Sequence, residues 1–99
     1  MKKKTMQKII PFLQASPSAL GKMIDGLTPQ ELGETRNLLK IRLQEMQLEF
    51  TEIEEKIEKY SQASKEYLLG VARERITKVE NVVKIFDTVF TARKEQKVL

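Results

Sequence analysis

Residues 28–60 read TPQELGETRNLLKIRLQEMQLEFTEIEEKIEKY, and the spacing of the apolar residues in this stretch decides the fold. Leu32, Leu39, Met46, Ile53 and Tyr60 recur every seven residues, and Leu43, Phe50 and Ile57 recur every seven between them. Arg36 takes the matching position in the first heptad. Apolar residues alternating spacings of four and three make the seam of a coiled coil, so the pattern predicts one helix from about Pro29 to Ser61. Its start is marked chemically. Thr28 can accept from the backbone N–H three residues on, and Glu31 can reach back to the N–H of Thr28. Pro29 falls at the first helical position, where its missing donor costs nothing. Glu52–Lys56 and Glu55–Lys59 add favourable pairs four residues apart.

A second seam follows. Leu69, Ala72, Ile76, Val79, Val83, Phe86 and Phe90 alternate three and four without a miss, which predicts a helix from about Lys65 to Arg93. Glu74–Lys78 and Glu80–Lys84 repeat the favourable pairing. Gly70 weakens its first turn. Extending the first seam forward lands on Ser64, Val71, Glu74, Lys78 and Asn81, most of them polar. Joining the seams would need a five-residue insertion, which is neither usual heptad interruption. A turn around Ser61-Gln62-Ala63-Ser64 resolves the mismatch and lets the seams face each other antiparallel. Tyr60 then lies near Leu69, Phe50 near Val79, Leu43 near Phe86 and Leu39 near Phe90. No Pro or Gly separates the seams, so a continuous rod is the competing reading.

Upstream, Ser16-Pro17 repeats the cap-plus-proline signal and predicts a short helix from about Pro17 to Asp25, with Leu20, Met23, Ile24 and Leu27 as its apolar side. Gly26 suits its end. Residues 3–13 read either as one amphipathic helix through Met6, Ile9, Ile10 and Leu13 or as a segment cut short by Pro11. The expected fold is therefore all-α: a basic N-terminal segment, residues 1–27, with one or two short helices, then a long antiparallel helical hairpin, residues 28–99, resembling a coiled coil in its packing.

The apolar residues exceed what a two-helix seam can hide. Leu38, Ile41 and Leu48 lie behind the first seam, and Leu68, Val71, Val82, Ile85 and Val89 widen the second. The N-terminal segments can cover part of this surplus, which would make a four-helix globule. Left uncovered, it marks an interface with a second copy or a partner helix. These eight residues are the candidate interaction surface. On that reading Leu48→Glu and Val82→Glu abolish partner binding and spare helix content, while Phe50→Ala removes about 3–5 kcal/mol of stability.

Composition excludes much chemistry. The chain of 99 residues has no His, no Cys and no Trp. Imidazole bases, thiol nucleophiles and zinc fingers are ruled out. The acidic run Glu49, Glu52, Glu54, Glu55 and Glu58 lacks the His that di-iron bundle sites add to their glutamates, and a solvated helix face supplies no cleft wall for paired carboxylates. No glycine run precedes a Lys-Ser/Thr pair. An enzyme is not expected, and neither is a cofactor or a metal. Without Cys there is no disulfide framework. Ile9 to Leu13 is too short and too broken for a signal core, and no apolar run nears the roughly 18 residues of a membrane span. A cytoplasmic chain is the expectation.

The net charge of +4 is uneven. Residues 1–27 carry five Lys against one Asp, residues 28–67 six basic against nine acidic groups, and residues 68–99 seven against four. Two functional readings follow. The first is a helical protein–protein interaction module, an adaptor, assembly factor or small chaperone, that buries amphipathic faces against a second copy, with a dimer favoured, or against a partner helix. The second is a small basic DNA- or RNA-associated protein that dimerises through its helices and contacts phosphates with Lys2, Lys3, Lys4, Lys8, Arg73, Arg75, Arg93, Lys94 and Lys97. Salt separates them, because phosphate binding weakens steeply with ionic strength.

Overall fold

The computed structural model describes residues 2–98, with side chains described through Lys94. Its elements are α1 (Lys3–Gln14), α2 (Pro17–Asp25), α3 (Pro29–Lys56), a 3-10 turn (Ile57–Lys59) and α4 (Gln62–Val98). The chain reverses between α3 and α4, so the two seams form a hairpin rather than a rod. The molecule measures 57 × 25 × 24 Å.

The caps act as their chemistry dictates. Glu31 N–H donates to Thr28 Oγ1 at 3.1 Å, and Thr28 N–H donates to Glu31 Oε1 at 3.0 Å. The backbone bond from Thr28 holds the Glu31 carboxyl below its ordinary pKa. Ser16 Oγ accepts from Ala19 N–H at 3.3 Å and starts α2. Gly26 ends α2 at φ −79°, in the right-handed region, so glycine's special freedom is not used there. Pro11 does not end α1, which runs through it. The carbonyl of Gln7 loses its helical donor there, but Gln7 and Pro11 both face solvent, where water can replace it.

The turn and the register differ from the sequence reading. α3 ends at Lys56, five residues early, in a tightened 3-10 turn closed by Tyr60 N–H on Ile57 O at 3.0 Å. Ser61 is the cap of α4 rather than the first residue of a four-residue turn: its Oγ accepts from Ser64 N–H at 3.3 Å. α4 therefore starts at Gln62, not near Lys65. The earlier reversal slides the helices by roughly one turn. Phe90 lies beside Gly33, where a Cβ would be 3.4 Å from its ring, and the Arg36 guanidinium sits 4.8 Å from its centroid. Leu39 was its expected neighbour. Likewise Phe50 lies under Arg73, 5.7 Å from its centroid, and not beside Val79.

The core occupies one end of the hairpin. Ile9 from α1, Leu20 and Ile24 from α2, Leu32 and Leu39 from α3, and Val79, Val82, Val83 and Phe86 from α4 form one buried cluster. Phe12 packs edge-on against Phe86, with centroids 5.5 Å apart. Arg93 ties α4 to the end of α2: it donates to Leu27 O, just past the helix, at 2.7 Å and to Ile24 O at 3.0 Å, which also accepts from Leu27 N–H. Arg36 and Lys40 of α3 both meet Asp87 of α4.

Helix lengths explain why the core stops halfway. At 1.5 Å per residue, α1 and α2 are about 18 and 14 Å long, against about 42 Å for α3. Two short helices roof the end where the chain enters α3. Beyond Met46 the hairpin continues as an arm only two helices thick.

Candidate functional site

The arm has an apolar groove along one face. From α3 and its 3-10 turn come Ile53, Lys56 and Ile57, and Tyr60 follows. From α4 come Tyr67, Leu68, Val71, Ala72 and Arg75. The two helices place these side chains together because Ile53, Ile57 and Tyr60 are spaced four and three, as are Leu68, Ala72 and Arg75. Ile57 is buried between the helices, but Tyr67 is 71% exposed and Tyr60 52%. Exposed aromatics beside a buried isoleucine make a surface that is apolar at its floor and open at its sides.

The groove continues the track that α1 covers. Arg75 lines the groove, and it also lines the cleft where Met6, Ile10 and Leu13 of α1 lie against Met46 and Val79. Among the described residues, one face of the hairpin thus carries a helix over its first half and nothing over its second. Two cations, Lys56 and Arg75, edge the open half. Near the tip, half-buried Lys65 meets exposed Glu58 at 3.7 Å, a pair that adds little stability because solvent reaches the carboxylate.

The eight residues expected to form the interaction surface separate into three groups. Leu68 and Val71 line the groove. Ile41, Leu48 and Ile85 are exposed, Leu48 at 68%, but lie outside it. Leu38 and Val89 pack against the core, and Val82 is only 6% exposed within it. Val82 therefore belongs to the fold and not to a free surface: α1 and α2 add a third side to the core, and that side takes the residue that widens the second seam. Ile53, Tyr60 and Tyr67 enter the groove although sequence periodicity assigned the first two to the seam and left Tyr67 unplaced. The helix-length mismatch was the signal that could have found them.

Among the described residues the basic side chains lie at separate places. Lys2, Lys3, Lys4 and Lys8 are exposed at the start of α1. Arg73 sits over Phe50, Lys94 lies 5.9 Å from the Phe90 ring, and Arg75 lines the groove. Arg93 is engaged by the carbonyls of Ile24 and Leu27. The side chain of Lys97 lies outside the described residues.

No family model, no curated protein and no solved structure matches the chain. Among the described residues no group of three acidic side chains is placed to hold a metal ion. Among them, too, no helix is long and apolar enough to cross a membrane.

Proposed function

We propose that this chain is a helical protein-interaction module whose working surface is the groove of the two-helix arm. The observation that carries this reading is the gathering of Ile53, Tyr60, Tyr67, Leu68 and Val71 at the end of the hairpin that α1 and α2 do not roof. Contiguous apolar surface of this kind marks a binding site. Its shape suits an amphipathic helical surface, since the covered half of the same face already holds one in α1. Buried tyrosines are strong anchors once their rings are desolvated. The reading is of binding and not of catalysis: the sequence supplies no imidazole and no thiol.

The test is retention of partners from native extract, after nuclease treatment, by the full chain and by Leu68→Glu. Proteins held by the wild-type chain and lost by the variant, with helix content unchanged by circular dichroism, are the expected result. Identical capture by both chains, or material that disappears with nuclease, would sink the proposal.

A further inference from the structure

We infer that the groove's occupant is a second copy of this chain, docked arm to arm about a two-fold axis so that two helical pairs make a four-helix bundle. The inference rests on the reading of the groove as a protein-docking surface. Four helices are what the covered end of the hairpin has, and the arm lacks two. A second arm supplies two.

The charges on the arm favour one orientation. On the edge of α3 that carries Lys56 into the groove, Glu49 and Glu52 lie on the body side and Lys56, followed by Lys59 of the 3-10 turn, toward the tip, while Glu54, Glu55 and Glu58 fall on the other side of the helix. Glu52 and Lys56 share one edge, being four residues apart, and both are exposed. Arms laid antiparallel about an axis crossing α3 at Glu54 bring Glu52 of each copy to the partner's Lys56. Parallel arms would instead place the two bodies, each with its own α1, on top of one another.

The register of the hairpin supports the same axis. Lys40 meets Asp87 and Phe50 meets Arg73 across the hairpin. The first pair puts Glu54 level with Arg73 and the second puts it level with Leu69, so its level on α4 lies between them, with Val71 midway. An axis through Val71 sets Arg75 of each copy at the partner's Tyr67, a cation over an exposed ring. One axis thus serves both helices. It also brings the partner's tip to about the level of Met46, where the cover of α1 begins, so a second arm fills the open half of the face and stops at α1. Surface pairs of this kind contribute little affinity but select orientation.

The experiment is sedimentation equilibrium of the full chain over about a hundredfold range of concentration, where mass action converts monomer to dimer. The expected result is a reversible dimer, dissociated by Leu68→Glu and weakened about tenfold by Glu52→Lys or Lys56→Glu alone. Equimolar mixing of those two charge variants restores dimerisation, because each then offers the other an opposite charge at both contacts. The double variant Glu52→Lys/Lys56→Glu restores it as well. A dimer indifferent to Leu68→Glu, or variants that do not rescue each other, would overturn the arrangement. A chain monomeric throughout would overturn the second copy as occupant. The melting temperature of Leu68→Glu then separates the two levels of the argument. An unchanged value leaves the groove free for a different protein, and an unfolded variant shows that Leu68 holds the fold and removes the docking reading too.

Discussion

Two phenylalanines test whether the hairpin is divided as described. Phe86 is fully buried among α1, α2, α3 and α4 residues and meets Phe12 edge-on at 5.5 Å. Replacing such a side chain by Ala costs about 3–5 kcal/mol through lost transfer energy and the cavity left behind. The Phe12 ring pair adds about 0.5–1.5 kcal/mol. Phe50 occupies an equivalent heptad position, and by sequence the same loss is expected there. The structure changes that expectation. Phe50 is half-buried in the arm, with Arg73 over its ring. Solvent and the neighbouring helix can fill the space it leaves, so Phe50→Ala should cost about 1–2 kcal/mol, near half the burial value of a large apolar side chain.

Urea unfolding followed by far-ultraviolet circular dichroism reads the difference. With a slope of about 1.5 kcal/mol per M, Phe86→Ala lowers the midpoint by about 2–4 M and Phe50→Ala by about 1 M. A domain of this length has about 5–15 kcal/mol in total, so Phe86→Ala brings the chain close to unfolding in water. The comparison belongs at the lowest workable protein concentration, where self-association adds no stability. Equal midpoint shifts would refute the division into a four-helix end and a two-helix arm.

Four further outcomes follow from named contacts. Arg93→Ala removes both bonds to the Ile24 and Leu27 carbonyls and should cost about 2–3 kcal/mol, with faster amide exchange in residues 20–27. Asp87→Asn tests a pH dependence: the hydrogen bond from Arg36 holds the Asp87 carboxyl below its ordinary pKa, against the opposing effect of burial and with help from Lys40. A depressed folded pKa gives stability present above the ordinary carboxylate range and lost as pH falls through the folded value, so the wild-type advantage in urea should be small but measurable at pH 7 and shrink toward pH 3. Val82→Glu should unfold the chain, whereas Leu48→Glu should leave circular dichroism and melting temperature nearly unchanged. Gly21→Ala, in α2 with open space where its Cβ would go, should raise stability by up to about 1 kcal/mol in the same urea assay.

The sequence disclosed local structure better than cover. Ser16 and Thr28 announced two helix starts because a capping oxygen and a following proline act within a single turn of chain. The two long helices were legible because a seam leaves a periodic trace. Register was not, since two regular heptad strings can be reflected onto one another at several offsets. Periodicity does not separate a turn serine from a capping one, and because the Ser61 hydroxyl caps α4 the reversal comes early and Phe90 packs on Gly33 and Arg36. Val82 was misplaced for a different reason. Periodicity tells which residues share a face, but not which face a separate short helix will roof, and α1 and α2 roofed that one.

Uneven cover also sets where the chain can move. The end roofed by α1 and α2 holds nearly all the buried side chains, while the arm keeps Ile57 buried and leaves its aromatics in water. Local opening costs least where few apolar contacts are broken, so amide exchange should be fastest in the arm and slowest around Val79 to Phe86. Covering the arm within one chain would take an N-terminal helix nearly as long as α3, and that helix would close the groove. The shortness of α1 leaves the fold with a stable end and an end that gains from contact. If a second copy docks there, protection in the arm rises with protein concentration while protection around Phe86 does not, because only the arm's opening is linked to association.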